Sequence, residues 1–265
     1  IREGIDQAMS ENQDLIVIGE GVPDPKSIFE TTKGLQEKFG KSRVFDMPLS
    51  ENGVTGICIG AALNGTPVLM IHQRIDFSLL AMDQIINNAA KWHYMFNGQS
   101  TVPIVIRVIV GRGWGQGPQH SQNLQALFAH IPGLKVITPA TAKDAKGMMV
   151  AALKDKNPVI FIEHRWLHHI EDSVPEEMYF SELDKAQILR QGSDVTIVAN
   201  SLMTIETMKA AAVLSEIGVN VEVVDLRSIK PIDLDTILKS VSKTKKMIVV
   251  DSAWKTGGIS GEVVS

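Results

Sequence analysis

Two short stretches carry residues whose types and spacing could do chemistry. In RVFDMPLSENG (43–53) a strand-like run and a tight turn lead to Ser50 and Glu51, at the start of a small-residue helical pattern. Ser50 is placed as an N-cap, and an acid in the first helical turn complements the helix dipole, so Glu51 has a structural role before any chemical one is considered. A carboxyl kept largely dry could instead hold a proton and return it. In GRGWGQGPQHSQ (111–122) a turn-rich loop brings His120 to the entrance of a helix beginning near Ser121. Loops leaving the carboxyl ends of parallel strands are where α/β folds place ligands, which sets His120 apart from the other histidines. A polar residue beside a helix cap is the other reading of that position.

Several common sites are excluded. A dinucleotide fingerprint needs G-x-G-x-x-G directly after a strand, so that the backbone can approach a pyrophosphate at a helix N-terminus. In GRGWGQG the glycines fall at every second residue, GGISGE (257–262) fails as well, and there is no Walker A sequence. The one cysteine, Cys58, sits in the apolar run GICIGAAL and reads as a packed thiol. A net charge of −4 without a basic stripe argues against nucleic acid and anionic membrane as partners. Apolar runs such as TVPIVIRVIV are too short for a bilayer span, and no signal pattern opens the chain. The expectation is a soluble intracellular protein, cytoplasmic in a bacterium or archaeon, or of the mitochondrial matrix in a eukaryote. Neither IREGIDQAMS nor GGISGEVVS reads as a natural end, so the chain is expected to be a fragment.

The elements that must position Glu51 and His120 follow from periodicity. Short apolar runs at 15–19, 43–46, 67–72, 103–108, 134–138 and 158–163 alternate with helical patterns at 51–64, 78–92, 121–130 and 142–154. Such alternation predicts an α/β doubly wound parallel sheet over residues 1–165. The polar stretch 166–185 reads as a linker. From 186 alternation resumes, with strands at 194–200, 219–226 and 246–252 and helices at 203–217 and 233–241, the start of a second parallel-sheet domain, incomplete at 265.

The ordered series GEGV (19–22), GLQEKFGKSRVFDMPLSENGVTGICIGAALNG (34–65), IDFSLLAMDQIINNAAKWHYMFNG (75–98), VPIVIR (102–107), the run from PQHSQ to PVIFIE (118–163) and VVDLRSIKPID (223–233) resembles the beta subunit of the thiamine-diphosphate-dependent first component of 2-oxo acid dehydrogenase complexes, in its pyruvate, branched-chain 2-oxo acid and acetoin forms. The resemblance covers essentially the whole chain, in order. It implies a transketolase-like pyrimidine-binding domain followed by a transketolase C-terminal domain. It also implies that an alpha subunit, in a heterotetramer of two alpha and two beta chains, holds the diphosphate and its magnesium; this chain contains no GDG motif of its own.

Residue by residue, the resemblance assigns Glu51 the hydrogen bond to the pyrimidine ring nitrogen, through which a proton is shared. Phe77 stacks on that ring and Leu49 makes an apolar contact with it, and with Met47 and Val54 they provide dry surroundings. Glu20 counts with the cofactor-binding residues and lines the channel or interface between active sites. His120 stands near the substrate, a small 2-oxo acid, and near the lipoyl group of the acyltransferase component that accepts the acyl product. Main-chain carbonyls of Ile104, Ala152, Leu153, Asp155 and Asn157 match a structural potassium site, though KDKNP is also a plain helix-ending turn. Leu80, where pyruvate-type members usually carry glutamine, the missing acid in GEGVPDPKSIFE, and the bulk of WHYMF and GRGWGQG leave the particular 2-oxo acid open. A transketolase or synthase half-subunit and a non-catalytic assembly subunit are the alternative readings.

Overall fold

The structure, a computed structural model, describes residues 1–24, 28–113 and 115–265. Two departures from the family pattern touch the remainder: residues 25–27 of GEGVPDPKSIFE and Trp114 of GRGWGQG lie outside the described residues.

Eleven strands form two sheets among the described residues. They are β1 (Ile16–Gly19), β2 (Val44–Phe45), β3 (Val68–His72), β4 (Ile104–Val110), β5 (Lys135–Ile137), β6 (Val159–His164), β7 (Gln187–Arg190), β8 (Val195–Ala199), β9 (Val221–Asp225), β10 (Ser228–Lys230) and β11 (Met247–Val250). The first sheet runs β10-β5-β6-β4-β3-β1-β2, parallel throughout except for β10, and the second runs β11-β8-β9-β7. The helices are α1 (Arg2–Glu11), α2 (Leu35–Phe39), α3 (Glu51–Leu63), α4 (Trp92–Met95), α5 (Gln125–Ala129), α6 (Ala142–Lys154), α7 (Leu202–Glu216), α8 (Leu234–Thr244) and α9 (Ile259–Val264). No helix among the described residues is long and apolar enough to cross a membrane.

Strands β3 and β4 are buried along their whole length, which is why VLMIH and IVIRVIV are nearly all apolar. Alternate side chains serve opposite faces. Met70, Ile104, Ile106 and Val108 pack with α3 residues Val54, Cys58 and Ile59, and that core continues through Val198, Val224, Ile237 and Ile259 of the second half. Leu69, Ile71 and Val105 pack on the other face, with Ile5 and Met9 of α1 and Met148 and Met149 of α6. The two halves therefore share one apolar core.

Four elements differ from the sequence expectation. The helix expected over 78–92 is a 3-10 turn (Ile75–Ala81), a π-helical turn (Gln84–Ala89) and α4. The wider π turn, with Ala90 N–H donating to the Ile85 carbonyl at 3.0 Å, brings Ile85, Ala89 and Ala90 to one buried face. The helix expected over 121–130 begins only at Gln125, because Gln122 is extended and Ser121 Oγ donates to the Gly117 carbonyl at 2.7 Å. β10 crosses from the second half to pair antiparallel with β5, so the halves also share a sheet. β7 runs antiparallel to β9, making the second sheet mixed.

Candidate active site

Because β1, β2, β3, β4 and β6 are parallel, their following loops all emerge at one edge of the sheet. Glu20 follows β1, the DMPLS turn and Glu51 follow β2, Arg74 to Phe77 follow β3, the loop with Gln116 and His120 follows β4, and Arg165 follows β6. Gly19 brings β1 close to β3: a Cβ there would fall 2.3 Å from the Ile71 carbonyl oxygen. Gly111, at φ +118°, has His164 where a side chain would be and lets the β4 loop lie against the end of β6.

One pole of this edge is acidic. Glu51 opens α3 and is only 9% exposed. Ser50 precedes it as N-cap by position, but its side chain makes no capping hydrogen bond. Glu20 is half-buried, and its Oε1 atom is buried with no hydrogen-bond partner among the described residues. Burial, and then the charges of Glu51 and Asp46, hold the Glu20 carboxyl above its usual range. Asp46 caps the adjoining turn, Oδ1 accepting from the Gly21 N–H at 2.9 Å and the Met47 N–H at 3.0 Å. Of the expected apolar neighbours, Met47 and Val54 are buried, Phe77 is half-buried, and Leu49 is 84% exposed.

The other pole is basic. The Phe77 and His120 rings lie 5.4 Å apart between centroids, tilted by 49°. His120 Nδ1 sits 2.7 Å from Asp76 Oδ2, and the Asp76 side chain is 4% exposed against 30% for His120. An ionised carboxylate oxygen only accepts, so Nδ1 carries the hydrogen and Nε2 is left for proton exchange. Arg165 Nη2 donates to the His120 carbonyl at 3.0 Å, fixing the turn from the other side. His120 thus occupies a 3-10 turn (Gln119–Ser121) rather than the N-cap of an α-helix. Asp76, the residue that orients it, is 44 positions away and carries no local sequence signal.

The remaining candidates lie elsewhere. Ile104 opens β4, Ala152 and Leu153 are in the last turn of α6, and Asp155 and Asn157 are in the turn before β6, all at the amino edge. The edges are about 20 Å apart for a strand as long as β4. The Asp155 carboxylate is engaged there by Lys135 and by the Asn157 N–H at 2.8 Å. Cys58 is buried in the α3 core, its thiol pushed up to about 12 by burial, which suits packing and not nucleophilic chemistry.

An aminopyrimidine ring has polar nitrogens on its edge and a flat apolar face. Glu51, the unpartnered Glu20 oxygen, the exposed Leu49 side chain and the Phe77 ring offer matching surfaces, so the residues present fit that half of thiamine.

Comparison with known proteins agrees with this architecture. The description "Transketolase, pyrimidine binding domain" matches residues 1–169, and "Transketolase, C-terminal domain" matches residues 184–265. A pyruvate dehydrogenase E1 component subunit beta from Gracilaria tenuistipitata var. liui is 42% identical over all of this chain and 82% of its own length. An acetoin:2,6-dichlorophenolindophenol oxidoreductase subunit beta from Cupriavidus necator is 44% identical over 96% of this chain and 78% of its own. A solved structure titled "Split gene transketolase, inactive beta4 tetramer" superposes with a TM-score of 0.82 at 24% identity, covering 99% of this chain and 82% of that one, and shares the fold. The chain belongs to the thiamine-diphosphate-dependent family of E1 beta subunits, built from a transketolase pyrimidine-binding domain and a transketolase C-terminal domain.

Proposed function

We propose that this chain supplies the pyrimidine half of a shared thiamine diphosphate site and, with an alpha subunit, carries out oxidative decarboxylation of a small 2-oxo acid of the pyruvate class. The acyl product passes to a lipoyl-bearing acyltransferase. The assembly is a heterotetramer of two alpha and two beta chains, whose alpha subunit holds the diphosphate and magnesium. The observation that carries this reading is the buried Glu51 beside Glu20, facing across the same sheet edge a Phe77 and His120 pair.

When bound, thiamine diphosphate supplies the nucleophilic carbon and electron sink that decarboxylation of a 2-oxo acid requires. Glu51 would hold the pyrimidine by its ring nitrogen, where its buried carboxyl could share a proton with that atom. Glu20, whose carboxyl is pushed upward by burial and by the Glu51 and Asp46 charges, would present its buried unpartnered oxygen to the same ring edge or the adjoining channel. Phe77 and Leu49 would offer apolar contacts to the ring faces and shield them from water. His120, with Nδ1 committed to Asp76, offers Nε2 as an acid toward the substrate oxygen or the dihydrolipoyl sulfur. Residues 1–165 carry this half-site and residues 186–265 the C-terminal domain, joined by a linker at 166–185. At the amino edge, the main-chain carbonyls of Ile104, Ala152, Leu153, Asp155 and Asn157 would hold potassium at the end of α6, where the helix dipole favours a cation. The compartment is the bacterial or archaeal cytoplasm, or the mitochondrial matrix in a eukaryote.

The test is reconstitution with the alpha partner, thiamine diphosphate and magnesium, followed by ferricyanide-linked oxidation of pyruvate, 2-oxobutyrate, branched 2-oxo acids and 2-oxoglutarate. Turnover of at least one is expected. Cofactor binding without turnover of any would reject the dehydrogenase reading.

A further inference from the structure

The proposed reaction leaves one cation beside the site without a task. Arg74 Nε donates to Gln116 Oε1 at 2.9 Å, and Arg165 Nη1 donates to the same oxygen at 2.7 Å. Two guanidinium groups thus converge on one neutral amide. Burial, and then the Arg74 charge, hold Arg165 below its usual value, while Asp76 acts in the opposite sense. Arg165 therefore has a counter-charge nearby. Arg74 makes no ion pair with any carboxylate among the described residues. Its guanidinium lies over the Phe77 ring, 6.0 Å from the centroid, and His120 packs against that same ring. Gln116 anchors Nε, and the fork of Nη groups retains the geometry that pairs with a carboxylate or phosphate through two hydrogen bonds.

The chemistry decides which anion that fork serves. In decarboxylation the bond from the carbonyl carbon to the carboxylate breaks, its electron pair passes into the cofactor, and carbon dioxide leaves uncharged. A cation paired with that carboxylate would stabilise a charge the transition state is losing, binding the ground state better and slowing the step. Arg74 helps only if it holds a group that keeps its charge throughout. We propose that Arg74 is a specificity-determining residue that binds a second anionic group on the substrate side chain, so that the favoured substrate is a small dianionic 2-oxo acid. The inference rests on the chain being a 2-oxo acid dehydrogenase beta subunit and, among small 2-oxo acids, moves the favoured substrate from monoanionic pyruvate to a dianionic relative.

The experiment uses the assembled alpha and beta pair and compares 2-oxoglutarate with 2-oxovalerate, which match in chain length and differ by the terminal carboxylate. 3-Phosphonopyruvate is set against 2-oxobutyrate to tell a phosphonate from a carboxylate. Wild type should favour a dianion over its partner. Arg74→Gln should reduce that kcat/KM ratio by about 10- to 100-fold, mostly through KM, as loss of a charged hydrogen bond does, and Arg74→Lys should retain part of it. Circular dichroism and assembly by gel filtration confirm that the variants fold. A wild-type preference for the monoanions, or a dianion preference that Arg74→Gln leaves unmoved, overturns the assignment of Arg74 while leaving the dehydrogenase reading intact. Failure to decarboxylate any of these acids or pyruvate overturns the dehydrogenase reading, and this inference with it.

Discussion

Replacing Glu51 with glutamine keeps the size and shape of the side chain and removes its capacity to take up and release a proton. Glu51 is 9% exposed, so little water could take over its proton-transfer role. Acid–base residues contribute roughly 10²- to 10⁴-fold in rate, so kcat should fall by at least about 10²-fold, equivalent to ~3 kcal/mol at the transition state. Stability should hardly move. Loss of an acid from the first turn of α3 costs about 0.3–1 kcal/mol, and relief of repulsion with Glu20 offsets much of that. A second readout follows from the same geometry. Burial is the larger cause of the raised Glu20 carboxyl, and Glu51 is the first of the two charges that add to it. Glu51→Gln should therefore move the Glu20 titration part of the way back toward an ordinary carboxyl. Activity is read by ferricyanide-linked decarboxylation in the assembled enzyme, stability by urea unfolding, and Glu20 by carbon-13 carboxyl shifts against pH. A folded variant retaining more than a tenth of wild-type kcat refutes the proton role. An unmoved Glu20 titration refutes the coupling between the two acids.

Arg107 and Glu163 form a fully buried ion pair, with Nη2 donating to Oε2 at 2.8 Å; burial pushes the Glu163 carboxyl up, but the Arg107 charge and hydrogen bond, then His168, outweigh it and hold it at about 2. Arg107→Met should cost about 3–5 kcal/mol in urea unfolding, and adding Glu163→Leu should recover most of it, since an orphaned buried charge is worse than none; because the folded carboxyl is depressed, the pair's contribution is present above pH ~4.5 and should fade as pH falls toward 2. Asp225 is pushed up to about 7, first by burial, with Thr204 and the Arg227 N–H opposing and Asp144 reinforcing it. A raised carboxyl favours the folded state while protonated, so this contribution should be lost as pH rises from about 4 through 7, by about 4 kcal/mol, and Asp225→Asn should flatten that part of the stability curve; an unchanged slope refutes it. If His120 serves acyl transfer, His120→Ala should lose most of the lipoyl-linked reaction and less of the ferricyanide-linked one. Asp76→Asn, which removes the carboxylate that orients His120, should lower the lipoyl-linked reaction more than the ferricyanide-linked one, and comparable losses in both assays for His120→Ala would move His120 to decarboxylation.

Much of the fold is legible in the sequence for a physical reason. A parallel sheet covered on both faces demands strands that are apolar at every position, so β3, β4 and β6 announce themselves as continuous runs. The elements that escape are those whose backbone is set from elsewhere. β10 is three residues long and exists because the second half leans on β5. The π turn at Gln84–Ala89 forms because Ile85, Ala89 and Ala90 must reach one buried face, a spacing that reads as an ordinary helix when only the apolar positions are counted. Glu51 and His120 stand out in the sequence by their places at helix entrances, but their proposed roles, and Phe77 altogether, come only through the resemblance of ordered motifs, since an acid in a first helical turn has an adequate structural reason to be there.

The charges that give the site its polarity could not be read that way, because each is defined by a partner far along the chain. Asp76 matters through His120, and Arg74 through Gln116, 42 residues on. Asp46 and Glu20 become one acidic pole only when β1 and β2 pair side by side. The same holds for Leu49. An apolar side chain that is 84% exposed next to a carboxyl that is 9% exposed has no stabilising role in the chain alone. Folding has left the side chain outside and drawn the carboxyl in, the reverse of what the hydrophobic effect favours for either group by itself. On the proposed site that inversion would become favourable, a flat ring with polar edge atoms satisfying the acid and covering the leucine together. Leu49→Ala should therefore leave the stability of the isolated chain within about 0.5 kcal/mol of wild type, as expected for an exposed position, while weakening thiamine diphosphate binding to the assembled pair. Destabilisation of the isolated chain by more than that, with cofactor binding unchanged, would mean that Leu49 serves the fold and not the ring.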